Sequence, residues 1–120
     1  MSDDVRAESS AVVAIAEVGR APAGAFSPRE IAYASSKSDP ERRLAARLAA
    51  KQAAVAALGG GLALRDVEIV RGRGGPPRIE LSERGRARLA EIGGERVLVS
   101  LTHGREHAAA AVLVLGGRPR

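Results

Sequence analysis

Ser38-Asp39-Pro40-Glu41-Arg42-Arg43-Leu44-Ala45-Ala46-Arg47-Leu48-Ala49-Ala50-Lys51-Gln52-Ala53-Ala54-Val55-Ala56-Ala57-Leu58-Gly59 reads as a helix with both ends marked. Asp39 is placed to accept the first free backbone N–H groups, and Pro40 suits a first helical position because it has no N–H to leave unpaired. Gly59 follows the last apolar residue, where a left-handed cap suits glycine. Leu44, Leu48, Val55 and Leu58 recur at helical spacing and predict one apolar stripe. Arg43, Arg47 and Lys51 stand four apart and line one flank of the same helix. Such a row can hold a phosphate-rich ligand; on spacing alone it reads as a solvated face, since charged side chains are mostly exposed.

The chain of 120 residues suits one domain with a modest core. Its net charge of +5 favours anionic partners without choosing among them. Cysteine is absent, which excludes a disulfide, a thiolate metal site and a cysteine nucleophile. Phe26 and Tyr33 are its only aromatic residues, too few stacking platforms for single-stranded nucleic acid. The acidic, polar start is unlike a signal peptide, and the longest apolar run, Ala108 to Leu115, is far short of the ~20 residues that span a bilayer. The expected location is the cytoplasm, with no membrane partner.

Outward from the helix, residues 1–10 are polar and read as a flexible N-terminus. Residues 11–18 are rich in β-branched side chains and predict a first strand, in which Glu17 is either an exposed edge position or a functional carboxylate. Ser27-Pro28-Arg29-Glu30 has the form of a capping box and starts a short helix, with Phe26 ahead of it as a staple for Ile31. Gly59-Gly60-Gly61 lacks the lysine and serine of a phosphate loop. Residues 67–71 and 78–81 alternate as a hairpin; its arginines Arg71, Arg73 and Arg78 among glycines read as a loop rather than an RNA-binding tract. Ser82 opens a third helix that stops at Gly93-Gly94. A strand over 97–103 ends in Ser100, Thr102 and His103, a turn follows, and 108–115 returns as a last strand of small residues. Residues 117–120 form a basic tail. His107 reads as a surface residue. This order predicts an α+β domain over 11–116, with helices packed on one face of an antiparallel sheet.

Phe26-Ser27-Pro28-Arg29-Glu30-Ile31-Ala32-Tyr33, then Arg47-Leu48-Ala49-Ala50-Lys51-Gln52-Ala53, then Val99-Ser100-Leu101-Thr102-His103 closely resemble the holo-acyl-carrier-protein synthases, the small 4′-phosphopantetheinyl transferases. The likeness runs from about Val12 to Gly116 and includes Ala56-Ala57-Leu58-Gly59 and Gly75-Pro76-Pro77-Arg78. It implies a phosphopantetheinyl-transferase-like fold and transfer of phosphopantetheine from coenzyme A to a serine of an acyl carrier protein. It further implies Mg²⁺, a homotrimer with sites between subunits, and a place in fatty-acid or polyketide-type biosynthesis. The resemblance assigns coenzyme A or carrier-bound phosphopantetheine to Arg43, Arg47, Lys51, Ser100, Thr102 and His103.

The departures are at the metal. The two family positions that carry its carboxylates fall on Ala14 and Gln52, and a second lysine of the central helix falls on Ala56. An amide brings no charge and alanine brings no ligand, so Glu17 is left as the one possible metal carboxylate. His103 is then either a satisfied structural histidine, a phosphate contact, or an acid–base group together with Glu17. Three functions follow: an active transferase with a weakened metal site, a pseudo-transferase that docks a carrier protein, or a repurposed enzyme on carrier-bound acyl chains. The losses rank the non-standard member above the ordinary synthase.

Overall fold

A computed structural model describes residues 4–72 and 74–117. Strand β1 (Asp4–Ala14) leads into a 3-10 helix (Ile15–Arg20), then α1 (Pro28–Ser35) and α2 (Pro40–Ala57). A 3-10 turn at Leu64–Asp66 precedes the hairpin of β2 (Val67–Arg71) and β3 (Pro77–Leu81). Helix α3 (Glu83–Glu91) and strands β4 (Arg96–His103) and β5 (His107–Gly116) complete the chain. One antiparallel sheet has the order β1-β5-β4; β2 and β3 form the other.

Helix α2 lies across one face of the larger sheet, touching β1, β5 and β4. The seam is made of small side chains. Ala45, Ala49, Ala50, Ala53 and Ala54 are at most 1% exposed, and they face Ala108, Ala110, Val112 and Val114 of β5. Short side chains on both layers let helix and sheet approach closely, and close packing recovers in dispersion what each alanine lacks in area. Leu48 and Leu58 are buried as the stripe predicts, whereas Leu44 and Val55 are only partly covered. No helix among the described residues is long and apolar enough to cross a membrane.

Several expectations are corrected. Residues 4–10, read as flexible, form the first half of β1, paired with β5 from Asp4↔Gly116 onward. The strand ends at Ala14 rather than Val18, so Glu17 stands on the 3-10 helix. Asp39 makes no side-chain cap; its Oδ1 accepts from Arg43 Nε at 3.0 Å. Gly117, assigned to the tail, has its carbonyl held by Arg6. Arg73 and residues 118–120 lie outside the described residues. The capping box forms as expected: Ser27 Oγ accepts from Glu30 N at 3.1 Å, and Ser27 N donates to Glu30 Oε1 at 2.7 Å. Phe26 packs against the main core, and Ile31 stays 49% exposed.

The end of α2 is built by glycine. Gly59, Gly60 and Gly61 have φ of 94°, 76° and 77°, a run of left-handed conformations that side chains oppose. Arg88 of α3 donates to the carbonyls of Leu58 and Gly60, satisfying groups that the helix end leaves free.

Candidate functional site: an arginine cleft and a neutral seat

Arg43 and Arg47, one turn apart on α2, face the end of β4 across a cleft of about 460 Å³. Tyr33 of α1, Arg71 of β2, Pro76 and Pro77 of the hairpin turn, and Ser100, Thr102 and His103 of β4 complete its lining. β4 is an edge strand, so residues of both parities reach the cleft. His103 pairs with the buried Ala108 and points with the helix side, while Ser100 and Thr102 pair with Ala111 and Ala109 on the outer face.

Arg47 is the centre of this arrangement. It is 3% exposed, its guanidinium lies 4.1 Å from the Tyr33 ring centroid, and its Nε has no hydrogen-bond partner among the described residues. Burial pushes its pKa down; Tyr33 and Glu30 oppose that, and the smaller effects of Arg71 and Arg43 add to it. Arginine nonetheless stays protonated in proteins. A buried donor without an acceptor costs roughly 1–3 kcal/mol, which an anionic oxygen would recover. Burial would raise the Tyr33 phenol, but the neighbouring Arg71 and the charges of Lys37 and Arg43 bring it below its ordinary value. The Arg43 guanidinium holds the Asp39 carboxyl below the usual carboxylate range, which spends the nearby acid on an internal pair. What is left facing the cleft is strongly cationic.

Two sequence-predicted residues lie elsewhere. Lys51 does not line the cleft: its Nζ, on a side chain 1% exposed, donates to Glu30 Oε1 at 2.6 Å. Glu30 Oε2 accepts from Ile69 N at 2.9 Å, so this carboxylate ties α1, α2 and β2 together in the core. The row read as a solvated face is therefore buried at two of its three members, Lys51 in an ion pair and Arg47 with its Nε unpartnered among the described residues. Glu17 is apart from His103. It lines a separate concavity of about 330 Å³ with Ala14, Arg20, Leu48 and Gln52, and its Oε2 is 3.1 Å from Arg20 Nη1. His107 is exposed, as expected, opposite Ala14 in the sheet. The sequence alone does not single out Tyr33 or Arg71 as site residues. Tyr33 had a signal in the quoted motif; Arg71 had one only as a strand-end cation.

The second concavity brings together Ala14 and Gln52, the positions that the resemblance assigns to the metal carboxylates. Magnesium demands near-octahedral oxygen ligation and is held by one or two carboxylates. Here Ala14 has no donor, Gln52 is neutral, and the single carboxylate already pairs with a guanidinium. Among the described residues no three His, Asp or Glu side chains converge to hold a metal. The donor set does not fit the ion.

No protein-family profile matches the chain. A holo-acyl-carrier-protein synthase of Moorella thermoacetica is 45% identical over 92 residues, covering 74% of this chain and 72% of that protein. The acyl carrier protein synthase structure from Mycobacterium tuberculosis is similar at a TM-score of 0.76 and 31% identity, covering 92% of this chain and 97% of that one. The ACPS–CoA complex of Chronobacterium ammoniagenes is similar at a TM-score of 0.74 and 25% identity, covering 93% and 99%. The sequence motifs, the helix-on-sheet fold and these relatives agree: the chain belongs to the holo-acyl-carrier-protein synthase family.

Proposed function

We propose that this chain binds the phosphorylated end of coenzyme A, or carrier-bound phosphopantetheine, in its arginine cleft. It works with an acyl carrier protein as a non-standard member of its family in which metal-dependent transfer is impaired. The observation that carries the reading is Arg47, a buried guanidinium with an unpartnered Nε, flanked by Arg43 and Arg71. Guanidinium forks match phosphate oxygens geometrically, and the low-dielectric wall strengthens each contact. Tyr33 keeps the Arg47 plane fixed by stacking, so little side-chain freedom remains to be lost on binding. His103, at the mouth of the cleft, contacts a phosphate oxygen or serves as an acid–base group on a carrier-bound chain.

A homotrimer belongs to this reading. Val12 is 67% exposed and Leu98 44% exposed, both on the sheet face opposite α2, where Ala109 and Ala111 leave room for another copy. Sites formed between subunits would bring Glu17 of one copy toward His103 of the next, which one chain keeps apart.

The second reading is an active transferase that moves 4′-phosphopantetheine to a carrier-protein serine, favoured by 45% identity to a named synthase. Calorimetric titration of coenzyme A with and without Mg²⁺, followed by mass spectrometry of an apo-carrier protein, separates the two. Metal-independent binding without the mass gain of one phosphopantetheine supports the first reading. Mg²⁺-dependent binding with that gain establishes the second, and no binding in either buffer overturns both.

A further inference from the structure

A pyrophosphate group meets a protein in two forms, free or chelated by Mg²⁺, and the chelate has lost the negative charge that the metal cancels. The walls of the arginine cleft treat the two forms unequally. No carboxylate lines the cleft among the described residues. The nearby acids are spent elsewhere: Asp39 on Arg43, Glu30 on Lys51 and two backbone N–H groups, Glu68 and Glu80 on Arg29. Arg47, 3% exposed, keeps an unpartnered Nε, and the Arg71 guanidinium donates only to a neutral carbonyl, that of Gly75 at 3.0 Å.

Guanidinium forks exchange hydrogen bonds with bare phosphate oxygens. In the chelate those oxygens are committed to the metal, and the dication stands against guanidiniums of its own sign where water screens little. Magnesium looks for carboxylates to accompany the phosphate. The concavity beside Ala14 supplies none that is free, because Glu17 is taken by Arg20. A second copy's Glu17 would arrive with that Arg20 and bring no net negative charge. We infer that the cleft selects the metal-free form of a pyrophosphate-bearing ligand, so that Mg²⁺ opposes binding by withdrawing the ligand. This rests on the arginine-cleft reading for the place of binding, while the direction of the Mg²⁺ effect is a separate result.

The test uses the full-length protein with inorganic pyrophosphate as the probe, at constant ionic strength so that screening does not imitate chelation. Tyr33 is the chain's one tyrosine and its ring lies on Arg47, so tyrosine emission reports the cleft while calorimetry gives the affinity. With Mg²⁺ at about ten times its dissociation constant from pyrophosphate, mass action is expected to raise the apparent Kd about elevenfold. Arg47→Met is expected to weaken pyrophosphate binding tenfold or more. Arg71→Gln, at an exposed position outside the core, is expected to weaken it without disturbing the fold. Coenzyme A is titrated in parallel in metal-free buffer. If coenzyme A perturbs Tyr33 but pyrophosphate affinity is unchanged or raised by Mg²⁺, or is absent without it, the inference is overturned and the cleft reading stands. If coenzyme A leaves Tyr33 unperturbed, or both variants bind it as the unmodified chain does, the arginine-cleft reading is overturned.

Discussion

Arg47 and Lys51 are one turn apart on the same helix, 3% and 1% exposed, and they do opposite things. Lys51 meets a carboxylate that also binds two backbone N–H groups, so its charge is satisfied within the fold. Arg47 meets an aromatic face and two further arginines, and one of its donors meets nothing among the described residues. Burial alone therefore does not separate a charge satisfied within the fold from one left short of hydrogen-bond partners.

The comparison is broken most severely at Glu30. Glu30→Ala leaves the Lys51 ammonium buried and alone and frees Ile69 N and Ser27 N. The expected loss is about 3–5 kcal/mol of unfolding free energy by denaturant titration. Glu30→Gln/Lys51→Met, which removes both charges, is expected to recover most of it. Arg47→Met tests the other side and has the opposite signature. Coenzyme A affinity falls tenfold or more, about 1.4 kcal/mol by calorimetry, while stability is unchanged or rises, because a desolvated cation has been replaced by an apolar chain. If Arg47→Met destabilises like Glu30→Ala, the distinction between the two residues fails.

A smaller effect is expected at Gly60, where alanine at φ 76° should cost about 1 kcal/mol in thermal or chemical unfolding. The smallest concerns Arg29, which bridges Glu68 and Glu80, like charges directly opposite in the hairpin. Its guanidinium holds both carboxyls below the ordinary glutamate value. Depressed carboxyl pKa values give stability that is present at neutral pH and lost as pH falls below about 4.3. Arg29→Met should therefore lower stability slightly at neutral pH, where Glu68 and Glu80 are left as like charges, leave it nearly untouched in acid, and so flatten the acid limb of the stability curve.

How far the sequence reveals this contrast depends on distance along the chain. The capping box of Ser27 and Glu30 is legible because its partners lie three residues apart. The hairpin, α3 and the last strand are legible from alternation and turn residues. The second task of Glu30 is not legible, since Lys51 comes from 21 residues away and Ile69 from 39. The same holds for Arg47, whose burial is decided by Tyr33 and the hairpin. The first half of β1 escapes notice because Asp4 to Ser10 is polar. Its pairing with β5 comes from backbone hydrogen bonds along an outer strand, where side-chain hydrophobicity carries little information. Of the residues the family motifs point to, His103, Ser100 and Thr102 line the cleft and Lys51 is ion-paired in the core, because a motif does not say which face a residue turns to.

The arginine row of α2 gives the molecule an electrical direction. A helix has a partial negative charge at its carboxyl end and a partial positive charge at its amino end. Arg88 covers the carboxyl end through Leu58 and Gly60, and Arg84 reaches Gly61 nearby. At the amino end Asp39 is occupied with Arg43, the first turn carries Glu41, and Arg43 and Arg47 line the cleft from the turns that follow. Both ends of α2 are thus met by side chains of opposite sign, and the direction comes from the arginines along its flank. Positive charge gathered on one side attracts anions over a distance, so raising ionic strength should slow an anionic ligand's arrival more than it hastens its departure.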